Sequence, residues 1–156
     1  MKLRTILGFL VAFCTAVAIS YAADSNPNMG IWKLNEAKSK IAAGIGKNDT
    51  VVYEAMSDSV KVSIDGTGAD GKALHTEWTG KFDGKEYAVT GDPTSDMRSY
   101  TRVDDNTLAF AAQKAGKPTL SGRIVVSADG KTRTVTTDSK DEKGVKLTNT
   151  GVYDKQ

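Results

Sequence analysis

The triplet Asp-Gly-Lys occurs three times, at Asp70-Gly71-Lys72, Asp83-Gly84-Lys85 and Asp129-Gly130-Lys131, each time between stretches in which apolar and polar residues alternate. An Asp-Gly pair accepts the positive backbone dihedrals of a tight hairpin reversal, and a period of two puts one row of side chains on each face of a strand. Such punctuation constrains the chain to an antiparallel meander in which neighbours in sequence pair in space. Strands are expected at 30–34, 50–56, 60–67, 73–82, 86–90, 98–103, 107–113, 119–127, 132–138 and 145–153. Between the first two, Asn35 can cap a short helix running through Glu36 to Ala42 and stopped by Gly44 and Gly46.

Ahead of the meander, Lys2 and Arg4 precede an apolar run from Ile6 to Ile19, followed by the small residues Ser20 and Ala22. This order of parts is that of an export signal, read as residues 1–22 with cleavage after Ala22. The run is interrupted by Thr15 and falls short of the roughly 20 residues that span a bilayer, so no stable membrane span is expected after cleavage. Residues 23–29, with Asn26-Pro27-Asn28, read as a flexible leader, and residues 30–156 as one domain. The destination is secreted or periplasmic. The single cysteine, Cys14, lies within the apolar run, so the exported chain would carry no disulfide and depends on packing and its hydrogen-bond ladder.

Loss of Lys2 and Arg4 lowers the basic count from 21 to 19, equal to the 19 acidic residues. A near-neutral chain without a Lys/Arg block lacks the electrostatic footprint of a nucleic-acid binder.

An open sheet of this many strands leaves two unpaired edges, which closure removes. The expected fold class is therefore all-β, an antiparallel up-and-down β-barrel of about 8–10 strands with one short helix after the first strand. Alternation places Val60, Val62 and Ile64 on the inner face, with Leu74, Thr76, Trp78, Gly80 and Phe82, and with Leu120, Gly122, Ile124 and Val126. Lys61, Ser63, His75, Glu77, Lys81 and Arg123 then face water. Small residues interleaved with large ones leave two readings open: a lumen with room for a guest, or one whose large residues fill the space opposite the small ones.

Gly30-Ile31-Trp32 on the first strand, the short helix after it, the meander and the closing Val152-Tyr153-Asp154-Lys155 resemble the lipocalin and fatty-acid-binding protein superfamily. The start Gly30 to Asn35 also resembles short exported bacterial proteins with a Gly-x-Trp-Lys-Leu-Asn opening, a likeness that brings no function with it. The superfamily resemblance implies a barrel that binds a small apolar molecule, with Trp32 closing one end. It also implies that an Arg-x-Tyr near the chain end holds a ligand carboxylate. Tyr153 matches the tyrosine, but Gly151 stands at the arginine position, and Arg133 on the preceding strand is read either as the replacement cation or as a solvated residue of the outer wall.

Enzymatic sites are poorly supplied. The chain has one histidine, His75, and no Gly-x-Ser-x-Gly elbow. His75 and Glu77 share a strand face, but a zinc site wants three or four ligands. Asp65-Gly66-Thr67-Gly68-Ala69-Asp70-Gly71 fails the spacing of a helix-loop-helix calcium loop, and Gly44-Ile45-Gly46-Lys47 lacks the residues of a phosphate loop. Asn48-Asp49-Thr50 is a formal glycosylation sequence. The expectation is a non-enzymatic binding protein, without metal or cofactor, holding a small hydrophobic or amphipathic ligand against Tyr53, Trp78, Phe82, Phe110, Arg133 and Tyr153. The alternative is a packed barrel acting as an envelope-associated interaction protein through an outer surface rich in Thr, Lys and Asp.

Overall fold

The computed structural model describes residues 26–140 and 144–156; the expected export signal lies outside them. Among the described residues ten strands form one closed antiparallel barrel: β1 (Gly30–Leu34), β2 (Lys47–Ala55), β3 (Val60–Thr67), β4 (Ala73–Gly80), β5 (Asp83–Thr90), β6 (Met97–Arg102), β7 (Thr107–Lys114), β8 (Lys117–Val126), β9 (Thr132–Lys140) and β10 (Lys146–Lys155). Each pairs with its neighbours in sequence, and β1 closes the ring on β10 through Trp32 opposite Lys155, Lys33 opposite Asp154 and Leu34 opposite Tyr153. No helix among the described residues is long and apolar enough to cross a membrane.

All three Asp-Gly-Lys triplets adopt the same local geometry, in which the aspartate Oδ1 accepts the lysine backbone N–H and the glycine takes a positive φ. Asp70-Gly71-Lys72 and Asp129-Gly130-Lys131 use it to reverse the chain. Asp83-Gly84-Lys85 does not, and the expectation of a turn there is corrected. It forms an irregularity inside β5, where the register against β6 shifts between Asp83 and Glu86. Gly84, at φ +79°, supplies the left-handed residue that such a bulge needs.

The expected helix after β1 is likewise reduced to a single 3₁₀ turn, Glu36–Lys38. Asn35 does cap it, accepting from the Lys38 backbone N–H at 3.2 Å. One turn later the strand edge takes over. The Ser39 hydroxyl accepts the Val152 N–H at 2.9 Å and Lys40 bridges to Thr150, so the backbone is drawn into extended pairing with β10.

Burial follows the alternation: Val62, Ile64, Thr76, Trp78, Ile124 and Val126 are buried, whereas His75 and Lys81 are exposed. Up-and-down connectivity sends alternate connections to opposite ends. One end, the base, carries the β2–β3, β4–β5, β6–β7 and β8–β9 connections. It is also where residues 26–29, the described part of the expected leader, form a turn: Met29 N–H donates to the Asn26 carbonyl, and Asn28 is 1% exposed. Between β4 and β5 the register holds only at Glu77–Thr90 and Trp78–Val89. Toward the base the two strands splay, and an aromatic cluster fills the interior beside them. Trp78 stacks on Phe82 (centroids 6.3 Å apart, 11° between planes) and meets Tyr87 and Tyr100 edge-on at 5.7 and 4.7 Å.

Candidate functional site

Above the aromatic cluster the barrel is open. A cavity of about 1030 Å³ extends from the middle of the lumen to the end opposite the base, at the top of the range of roughly 300–1,000 Å³ typical of small-molecule pockets. Its mouth is framed by residues 44–48, 68–69, 92–94 and 118–119, and its walls include Val51, Ile64, Leu74, Leu120, Ile124 and Leu147. The segment after Lys40 folds over one side of this mouth, held where the Asn149 Oδ1 accepts the Ala42 N–H at 2.8 Å.

Arg133 lies at the lower boundary of the cavity and is 2% exposed, which settles its orientation as inward. Its guanidinium carbon is 5.1 Å from the ring centres of Trp32 and Tyr53 and 4.7 Å from that of Tyr153. This cage follows from the register: Arg133 stands opposite Tyr153 on β10, and β1 then brings Trp32 alongside. Three ring faces offset part of the cost of burying a cation. They do not use up its donors, since Nε and Nη1 are buried without a hydrogen-bond partner. Trp32 is fully buried, donates Nε1–H to the Asn28 carbonyl at 2.8 Å, and carries the Lys155 ammonium 5.1 Å from its ring centre. It plugs the base beneath the cavity without lining it.

A second guanidinium stands nearer the mouth. Arg98, at the start of β6, is 8% exposed and donates from Nη2 to the Asp92 Oδ2 at 2.8 Å. Burial would push the Asp92 carboxyl up, but hydrogen bonds from Ser95 and Thr94 and the Arg98 charge together hold it below the usual carboxylate range. Tyr53 is pushed far above the ordinary phenol value, first by burial and then by the neighbouring Tyr100; Arg133 only partly opposes this. Tyr153 is also raised by burial, again against the pull of Arg133. Both hydroxyls therefore stay neutral and can donate. Among the described residues, the buried charges of the lining are two guanidiniums and one carboxylate; the other two cations lie at the rim, where Lys47 is matched by Glu36 and Asp49 and Lys140 is exposed.

Of the residues expected to meet a ligand, Tyr53, Phe110, Arg133 and Tyr153 line the cavity. Trp78 and Phe82 do not: they share the inner face but sit at the level of the base, below the open volume. Arg98, Asp92 and Tyr100 line it and were not foreseen. The available signal was the Arg98-x-Tyr100 spacing, which puts both side chains on one strand face, as in the Arg-x-Tyr sought near the chain end. His75 lies on the outer wall, with Nδ1 2.6 Å from Asp65 Oδ1 and Nε2 3.8 Å from Glu77 Oε1. Among the described residues no group of three or more His, Cys, Asp or Glu side chains is placed to hold a metal.

No family model and no curated protein matches the sequence. Among solved structures, EF1p2_mFAP2b bound to DFHBI is similar, with a TM-score of 0.50 and 12% identity over 85% of this chain and 97% of that one. At that identity the likeness concerns the fold alone, and it supports the closed antiparallel barrel expected from the meander and its closing strand.

Proposed function

We propose that this chain is an exported binding protein whose lumen holds a small amphipathic molecule carrying one acidic group. The observation that carries this reading is an open cavity of about 1030 Å³ whose lining includes two buried guanidiniums and a single buried carboxylate, which pairs with one of them. Apolar walls favour a hydrocarbon body through area burial, and an excess buried cation with unpartnered N–H groups favours an anion. Tyr53 and Tyr153, which line the same cavity, add neutral hydroxyl donors. That EF1p2_mFAP2b was solved bound to DFHBI supports a guest in a barrel of this fold. Export rests on the order of Lys2 and Arg4, the apolar run and Ala22.

The test is native mass spectrometry of protein purified from its own host's secreted or periplasmic fraction, followed by calorimetric titration of delipidated protein with decanoate below its micellar concentration. A copurified acidic amphiphile, or saturable one-to-one decanoate binding, is the expected result. Absence of both would overturn the reading. The mass of the exported chain tests the signal separately, with Ala23 expected as the first residue.

A further inference from the structure

The contact between Arg98 and Asp92 is one-sided. A guanidinium offers a side-on fork of Nε and Nη2 that matches both oxygens of a carboxylate or sulfate. Here Asp92 takes only the Nη2 prong, and the Nε prong is buried without a partner. The aspartate, by contrast, is held mainly by its own loop. Oδ1 accepts the Thr94 N–H at 2.8 Å and the Thr94 hydroxyl at 2.7 Å, and Oδ2 accepts the Ser95 hydroxyl together with Arg98. Three of these four donors remain if Arg98 turns elsewhere, whereas Arg98 gains a second bond when an oxyanion takes both prongs. Both side chains line the cavity near its mouth and are about nine-tenths buried, at 10% and 8% exposed.

We infer that Asp92 is a built-in competitor for the anion seat on Arg98: the acidic group of a bound amphiphile replaces it on the guanidinium, so that Asp92 sets how strongly anionic a guest must be. The inference rests on the lumenal binding reading above and names the residue that fixes its charge selectivity. It also gives the two lumenal cations different parts. Arg133, caged by three rings, makes the interior positive, and Arg98, with half of its fork free, makes the directional contact.

The test compares decyl sulfate with decanol, alike in chain length and different in charge, both titrated below aggregation into the full exported chain. In Asp92→Asn the preference for sulfate over alcohol is expected to rise about tenfold over wild type, since the guest's anion then displaces a neutral amide oxygen rather than a carboxylate. Arg98→Lys keeps the charge but removes the fork, and there the preference is expected to fall about tenfold. The Lys variant keeps the question decidable if the Asn variant fails to fold. A wild-type sulfate-to-alcohol ratio in every folded variant would overturn the role of Asp92 and Arg98 while leaving lumenal binding standing. Failure of wild type and variants to bind either probe would overturn both.

Discussion

Trp78 is the residue at which the depth of the site can be tested. It is 1% exposed, donates Nε1–H to the Arg98 carbonyl at 3.0 Å, and anchors the aromatic cluster below the cavity without reaching into it. Trp78→Phe removes about 40 Å² of buried apolar surface, worth about 1 kcal/mol at about 25 cal/mol per Å². The residual void of about 35 Å³ adds roughly 0.8 kcal/mol. The lost indole hydrogen bond adds about 1 kcal/mol. The expected destabilisation is therefore about 3 kcal/mol, read by urea denaturation with Trp32, the other tryptophan, as the fluorescent reporter. Decanoate affinity at a temperature where the variant is fully folded should change by less than about threefold, far below the tenfold that 1.4 kcal/mol represents. A variant of near wild-type stability that loses decanoate binding would refute the reasoning, because it would place Trp78 against the guest.

Two further outcomes follow from other parts of the barrel. His75 is held above its ordinary value, first by the hydrogen bond to Asp65, so its favourable contribution is complete below the unfolded histidine value and is lost as pH rises through the folded one. A proton NMR titration of this single histidine should give a midpoint above about 6.5 that falls in Asp65→Asn; an unchanged midpoint would sink the assignment. Gly122→Ala would put a Cβ 2.1 Å from the Thr136 carbonyl oxygen and 2.6 Å from Phe110 Cζ, so a loss of about 2–3 kcal/mol is expected on chemical denaturation, and a change within about 0.5 kcal/mol would show that β8 can shift.

Much of the fold was legible because the signals that define it are local. Alternation in 60–67 and 119–126 fixed which side chains point inward, and the edge-strand argument correctly joined Gly30–Leu34 to the last strand. What was lost needed tertiary information. Asp83-Gly84-Lys85 carries the same Asx geometry as the two true turns, and only its pairing with β6 makes it a bulge. The helix after Asn35 had its cap, but a Ser39 hydroxyl reaching Val152 outcompeted the second turn. The site shows the same division. A period of two reports a face and says nothing of height along the barrel axis, so Trp78 and Phe82 were grouped with Tyr53 and Phe110 although they lie beneath the open volume. Arg133 could not be oriented from its own strand because its cage is built by β1, β2 and β10.

Both ends of the described chain meet at the same pole of the barrel. The Lys155 ammonium reaches the Pro27 carbonyl at 3.3 Å, and the Gln156 N–H bonds the Ile31 carbonyl at 3.0 Å, while the cavity opens at the opposite pole. A tag, fluorophore or solid support joined after Gln156 would thus sit beneath the barrel and leave its opening pointing away from the attachment, the orientation in which the proposed binding is best read on a sensor surface.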